Sequence, residues 1–103
     1  MSFYDEVTAE VAHVHEEDHK RSSDYDVFKM GELAGAAACY LMQGVNIGDQ
    51  SLSERVAVLV RDLWPWATHY WKPKNRRQDL IRAAALIQLE VERLDRKVAG
   101  ELA

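Results

Sequence analysis

Apolar residues recur at helical spacing near the start of the chain. They follow one another at intervals of four, four and three, which places them on one face of a helix: Phe3, Val7, Val11 and Val14. The pattern predicts a first helix over residues 3–20. A polar turn sequence, Ser22-Ser23-Asp24, then ends it.

A second helix is predicted over residues 27–43. Its larger apolar residues share one side: Met30, Leu33, Ala37, Tyr40 and Leu41. The run Ala34-Gly35-Ala36-Ala37-Ala38 removes bulk from nearly every face, so another helix can approach closely. We therefore expect this helix to lie at the centre of the fold, with Gly44 as its C-terminal stop.

A shorter third helix is predicted after the loop at residues 44–50. Ser51 and Glu54 have the spacing of a capping box, which satisfies free backbone N–H groups in the first turn. The apolar positions that follow are Leu52, Val56, Leu59 and Leu63. A buried strand over residues 56–60 is the alternative, which the absence of a convincing second strand disfavours.

The last helix is predicted to start at Asn75, after an irregular aromatic segment between Pro65 and Pro73. Asn75 and Gln78 have the spacing of an N-cap and its third helical residue. A heptad pattern follows, with alternating intervals of four and three: Leu80, Ala84, Ile87, Val91, Leu94 and Val98. Leu86 and Leu89 widen this apolar face. We expect the pattern to extend past the core and to allow self-association.

These elements predict a single all-α domain over residues 1–103, a compact antiparallel bundle of three to four helices. The formal net charge of −4 is unevenly distributed along the chain. Residues 1–63 contain five Lys and Arg against twelve Asp and Glu, whereas residues 64–103 contain eight against five. An acidic chain is a poor general nucleic-acid binder, because phosphate neutralisation drives such binding.

Compartment follows from the rest of the composition. No run approaches the ~20 apolar residues of a membrane span, and the start lacks the pattern of a secretion signal. Cys39 is the single cysteine and cannot form an internal disulfide. We therefore expect a cytoplasmic protein that does not bind membranes.

The principal candidate site is the aromatic and basic segment that precedes the last helix. Phosphate can bind at a helix start while a base stacks on an aromatic ring, which predicts a nucleotide or cyclic-nucleotide site. The alternative, which the sequence favours, is a rigid plug over the core with cationic stems across the rings. The candidate ligand- or partner-binding residues are Trp66, Tyr70, Trp71, Lys72, Lys74, Arg76 and Arg77, together with Glu32 in the second helix.

Glu32 is the most notable single carboxylate. On an alanine-rich buried helix it needs a cationic partner, because an unpaired buried charge is costly. The candidate partners are Arg76, Arg77 and Arg82.

Two sequence blocks resemble a group of small proteins encoded by tailed bacteriophages and prophages. One combines Trp64-Pro65-Trp66, Lys72-Pro73-Lys74, Arg76-Arg77, Asp79-Leu80-Ile81 and Glu92-Arg93-Leu94-Asp95-Arg96. The other is Gly31-Glu32-Leu33-Ala34 with Ala36-Ala37-Ala38-Cys39-Tyr40. The resemblance covers about half of the chain. It implies a phage accessory protein that works in the host cytoplasm.

Two catalytic interpretations fit poorly. His15 to His19 reads HEEDH and so matches HExxH, but its middle positions are charged and no third ligand is evident. A nucleotide pyrophosphohydrolase of the MazG type needs EExxE and ExxD carboxylate clusters for Mg²⁺. Here Lys20 interrupts the first and Gly35 the second.

The sequence therefore favours binding without catalysis and implies no cofactor. The first hypothesis is an accessory protein that binds a host or phage protein through its charged faces, in defence (an anti-defence role) or in replication. The second is a protein that senses or sequesters a nucleotide. The third is a divergent MazG-like hydrolase.

Overall fold

The computed structural model describes residues 2–18, 22–45 and 50–102. They form four α-helices: α1 (Phe3–Asp18), α2 (Glu32–Met42), α3 (Gln50–Leu63) and α4 (Arg76–Leu102). Two 3₁₀ segments, Ser22–Val27 and Thr68–Tyr70, lie in the connections. This part of the chain contains no strand, so the predicted all-α bundle is confirmed.

The second helix begins five residues later than predicted, at Glu32 rather than at residue 27. Gly31 precedes it in a left-handed conformation with a φ of 82°, which a side chain rarely adopts and which breaks any helix running into it. The Glu32 carboxylate accepts a hydrogen bond from the Met30 backbone N–H at 2.6 Å, which fixes the bend. Met30 was expected on the buried face, but it is 90% exposed because it lies in this bend.

Two other helix ends follow the predicted signals, the start of α4 and the end of α2. The side-chain oxygen of Asn75 accepts a hydrogen bond from the Gln78 backbone N–H at 2.9 Å, so Asn75 caps α4. Gly44, with a φ of 82°, follows the end of α2 in the turn. The predicted helical residues 19 and 20 lie outside the described residues, and the predicted capping box at Ser51 depends on a side chain that is not described.

Alanine residues form the contact between α2 and α4. Ala36, Ala37 and Ala83 are at most 2% exposed and share one core cluster with Leu33 and Leu89. Small side chains allow the two helix backbones to approach, and their larger neighbours then close the core around them. The predicted central position of α2 and α4 is confirmed, since this is the most extensive contact between elements.

Helix α1 covers the adjoining face of α4. Val7 packs with Ile81 and Ala85 in a second cluster, and Val14 joins the main core. The predicted apolar face of α1 is therefore correct in its middle. It is wrong at Phe3, which is 62% exposed in the first turn of the helix.

The predicted apolar face of α4 faces the core only in part. Leu86 and Leu89 are buried as predicted, and the heptad residue Ala84 packs against the second cluster. The remaining heptad positions are exposed, namely Leu80, Ile87, Val91, Leu94 and Val98, while Ile81, Ala83 and Ala85 are buried instead. In α3 Val60 is buried, whereas Leu59 and Leu63 are exposed. Small residues form the contact between α2 and α4 because they permit the two helices to approach closely. The spacing of apolar residues alone does not reveal this preference. Within the described residues, no helix combines the length and apolarity needed to cross a membrane.

The alanine contact yields a first prediction. Ala37→Leu adds bulk where α2 meets α4, so it should lower the free energy of unfolding by about 1–3 kcal/mol. Urea denaturation followed by circular dichroism measures this change.

Ala34→Leu is the matched control, since Ala34 lies on the exposed side of the same helix. It should change stability by less than about 0.5 kcal/mol. Equal effects of the two substitutions would show that α2 does not pack on α4 through its alanine face.

Candidate ligand-binding site

The basic residues that precede α4 are held by contacts within the chain. The Arg76 guanidinium donates to the carbonyls of Leu41 and Gln43 at 2.6 and 2.7 Å, and so closes the C-terminal end of α2. Arg77 donates twice to the Glu6 carboxylate, at 2.7 and 2.6 Å. Both side chains tie the start of α4 to another helix.

The two lysines differ in their surroundings. The Lys72 ammonium lies 2.9 Å from a Glu17 carboxylate oxygen, with half of its side chain exposed. The backbone N–H of Lys74 donates to buried Asp79 at 2.8 Å. Within the described part of the chain, no carboxylate lies in ion-pair distance of the Lys74 ammonium.

Glu32 is partly buried and stabilises the Met30 bend, as described above. Its predicted pairing with Arg76, Arg77 or Arg82 is wrong. Those three guanidiniums instead contact, respectively, α2 carbonyls, Glu6, and the Glu10 and Glu17 pair. The Glu32 carboxylate is stabilised instead by the Met30 backbone N–H, which lies just before the start of α2.

The aromatic residues of the irregular segment stack on one another and on Tyr40 from α2. The ring centroids of Trp64 and Trp71 are 4.9 Å apart, and those of Tyr40 and Trp71 are 4.6 Å apart. All three tryptophans are partly buried and pack against the main core. The Trp64 indole N–H donates to the Ala67 carbonyl at 3.1 Å, which fixes the bend after Pro65.

These rings also enclose a cavity of about 320 Å³. Six aromatic side chains line it: Tyr25, Phe28, Tyr40, Trp64, Trp66 and Tyr70. Phe28 and Trp66 form one wall, with centroids 5.2 Å apart. The recess is partly open to solvent, and a concave surface lined by aromatic rings with a few charged groups is a candidate ligand site.

Glu17 and Arg82 supply the charged part of the cavity lining. The Arg82 guanidinium lies 3.4 Å from Glu10 and 3.2 Å from Glu17, and its carbon atom is 5.7 Å from the Tyr40 ring centroid. We call the four side chains Glu10, Glu17, Lys72 and Arg82 the Arg82 ion network. It joins α1, the aromatic segment and α4.

This network sets the charge state of the cavity. Burial by itself raises the pKa of Glu17, but the hydrogen bonds and positive charges of Lys72 and Arg82 outweigh it, so the pKa lies below its ordinary value. Burial raises the pKa of Tyr40, whose hydroxyl oxygen accepts a hydrogen bond from the Lys72 backbone N–H at 3.3 Å. At neutral pH the cavity therefore holds a carboxylate, a guanidinium and a neutral phenol.

Two donors in the cavity-lining side chains lack partners. The indole N–H of Trp66 and the Nε–H of Arg82 are buried and make no hydrogen bond within the described part of the chain. A buried unmet donor costs about 1–3 kcal/mol. Both atoms are buried, so a ligand in the open part of the cavity does not contact them.

The structure brings Trp66 and Tyr70 of the predicted site into the cavity lining, whereas Trp71 supports the wall from behind. Sequence reasoning missed Tyr25 and Phe28 as lining residues, and Glu10 and Glu17 as partners of Arg82. The signal available was the charge asymmetry, since α1 is acidic and α4 begins basic. Spacing alone did not say which acid meets which base.

The HEEDH motif at the end of α1 is described in part. His15 packs edge-on against Tyr25, with ring centroids 5.3 Å apart, and His19 lies outside the described residues. Within the residues that the structure describes, no group of three or more His, Cys, Asp or Glu side chains is placed to hold a metal ion.

Comparison with protein-family models, curated proteins and solved structures finds no match for this chain. The functional argument therefore depends on the geometry of the cavity and on its chemistry.

The lowered pKa of Glu17 yields a second prediction, on pH dependence. Its carboxylate stabilises the fold above about pH 4.3, and this stabilisation is lost as pH falls through the lower native pKa. Glu17→Gln should lower the free energy of unfolding by about 1–3 kcal/mol at pH 7. It should also reduce the fall of that free energy as the pH becomes acidic. Urea unfolding at a series of pH values measures both effects.

Glu16→Gln provides the control, because Glu16 is the exposed neighbour of Glu17 on α1. It should leave stability within about 0.5 kcal/mol at every pH. If Glu17→Gln kept the wild-type acid slope, the Arg82 ion network would not be formed in solution.

Proposed function

We propose that this protein binds a small planar ligand of the nucleobase class and does not transform it. The observation that carries the proposal is the aromatic cavity of about 320 Å³. Its volume lies at the lower end of the range for small-molecule sites, roughly 300–1,000 Å³. A single heterocyclic base with its sugar suits such a volume.

The lining chemistry supports a planar aromatic ligand. Phe28, Trp66 and Tyr70 line the cavity, and stacking between a base and an aromatic side chain contributes about 1–3 kcal/mol. Glu17 accepts hydrogen bonds and Arg82 donates them. A base that carries both donors and acceptors along its edge is therefore complementary to the pair.

Binding without turnover fits the state of the cavity carboxylate. Glu17 has a pKa below its ordinary value and is engaged by Lys72 and Arg82. A general base works best with a pKa near the operating pH, and an engaged carboxylate with a low pKa is a weak one. Glu17 is thus suited to recognise a ligand and poorly suited to remove a proton from it.

The resemblance to tailed-phage proteins supports a biological setting for this proposal. A nucleotide-binding accessory protein in the host cytoplasm would sequester or sense a signalling or precursor nucleotide. An anti-defence role is one such use.

A third prediction tests the cavity directly. Titration with adenosine, guanosine, cytidine and uridine, followed by tryptophan fluorescence and calorimetry, should show saturable binding of at least one nucleoside. Tyr70 is about half exposed at the rim, so Tyr70→Ala should keep the fold and weaken binding about five- to tenfold.

Tyr4→Ala is the matched control, since Tyr4 is an exposed tyrosine on α1 that does not line the cavity. Its affinity should equal that of the wild type. The proposal fails if none of the four nucleosides binds up to its solubility limit.

A second candidate function, protein binding, is favoured by a separate observation. The heptad positions Leu80, Ile87, Val91, Leu94 and Val98 form an exposed apolar stripe along α4, on the side opposite the core residue Leu89. Apolar stripes of this length on a helix pair with another helix. We propose that the stripe is the surface for a protein partner, and that a second copy of the chain is its first occupant.

The stripe is complementary to itself in an antiparallel pair. Leu80 then meets Val98, Ala84 meets Leu94 and Ile87 meets Val91, and all three pairs are centred on residue 89. Such an arrangement is two-fold symmetric, as most homodimer interfaces are. The same surface would serve a helix from a host or phage protein.

The fourth prediction concerns this stripe. Val91→Glu places a charge at the middle of the paired helices and should weaken the dimer at least about tenfold. Light scattering after size-exclusion chromatography, over a concentration series, measures the change.

Val27→Glu makes the same chemical change at an exposed valine outside the stripe and should leave the dimer intact. A wild-type chain that stays monomeric at its highest soluble concentration would contradict self-pairing through α4.

A further inference from the structure

The burial of its lining residues divides the aromatic cavity into a floor and a rim. Four lining residues are at most 4% exposed and form what we call the floor: Val14, Leu86, Tyr25 and Tyr40. Ala67 and Tyr70 are exposed and lie at the rim. Val14 and Leu86 also belong to the main core cluster, so packing fixes their side chains. A ligand that fills the cavity therefore meets hydrocarbon and aromatic surface at its inner end.

The polar groups of the lining are few and are largely engaged. Among the described residues that line the cavity, only Glu17 and Arg82 are charged. One carboxylate oxygen of Glu17 lies 2.9 Å from the Lys72 ammonium, and the other lies 3.2 Å from Arg82 and 3.1 Å from His13. Because Glu17 and Arg82 contact each other, they offer a ligand one polar region and not several.

This polar pair lies about one helical turn from the aliphatic part of the floor. Val14 precedes Glu17 by three residues in α1, and Leu86 follows Arg82 by four residues in α4. Residues at these spacings are neighbours on one face of a helix, and one turn rises about 5 Å. A ligand that contacts both regions therefore carries a polar edge and an apolar group about 5 Å apart.

We infer that the base in the cavity carries an apolar substituent, such as a short alkyl group, which lies against Val14 and Leu86. This inference rests on the proposed function, since it assumes that the cavity holds a base whose polar edge contacts Glu17 and Arg82. Each methylene group transferred from water to such a surface raises the affinity about fourfold. A hydroxyl group in the same place faces hydrocarbon and loses its hydrogen bonds to water, so a polar substituent gains nothing.

Calorimetric titration of the full chain with matched nucleosides tests this inference. One series is uridine, 5-ethyluridine and 5-hydroxymethyluridine, and the other is adenosine, N⁶-propyladenosine and N⁶-(2-hydroxyethyl)adenosine. Within a series the alkyl and hydroxyalkyl groups have the same number of non-hydrogen atoms, so they differ in polarity and not in size. At least one alkyl nucleoside should bind about five- to fifteenfold more tightly than both its parent and its hydroxyalkyl counterpart.

Two valine variants test the floor itself. Val14→Thr keeps the shape of the side chain but replaces a methyl group of the floor with a hydroxyl, so the preference for the alkyl nucleoside should fall at least about threefold. Val27→Thr makes the same change at an exposed valine that does not line the cavity, and it should preserve the preference. An equal loss in both variants would overturn the inference. If Val14→Thr does not fold, the ligand series on the wild-type chain decides the inference by itself.

The outcomes separate this inference from the proposed function. Alkyl nucleosides that bind no more tightly than their parents, or no more tightly than their hydroxyalkyl counterparts, overturn the apolar substituent and leave the proposed function standing. If no nucleoside binds, guanosine and cytidine included, the proposed function itself fails.

Discussion

The close approach of α2 and α4 through alanine is the constraint on which the rest of the structure depends. Ala36, Ala37 and Ala83 leave the two helices without bulky side chains between them. The larger rings, Tyr40 from α2 and the tryptophans of the irregular segment, must then pack at the border of this contact. The aromatic cavity lies among these rings, at the border of the contact.

The Arg82 ion network lies beside this contact and positions the wall of the cavity. Arg82 projects from α4 over the Tyr40 ring and reaches two carboxylates of α1, while Lys72 brings the aromatic segment to the same carboxylate, Glu17. Partly buried ion pairs add little net stability but penalise every arrangement that leaves a charge alone. The network therefore selects one orientation of α1 and one position of the tryptophan bend.

Much of the fold could be predicted from the sequence, because its signals are local. Asn75 is an N-cap with a spaced partner, and the alanine run of α2 indicates a close helix neighbour; both predictions are confirmed. The predicted start of α2 was wrong because Gly31 adopts a left-handed conformation, which the pattern of apolar residues does not show. The heptad stripe was ambiguous, since periodicity identifies an apolar face without naming what covers it. The cavity depends on contacts between distant residues such as Phe28 and Trp66, and only the folded chain reveals them.

The indole N–H signals of the three tryptophans test the central claim most directly, that the tryptophan bend encloses a ligand site. Trp64 and Trp66 line the cavity and Trp71 does not, so the chain carries its own control. Two-dimensional ¹H–¹⁵N NMR during titrations with the four nucleosides should, for at least one of them, shift the Trp66 and Trp64 signals and leave Trp71 nearly unchanged. Three unmoved signals, or a shift of Trp71 alone, would contradict the account.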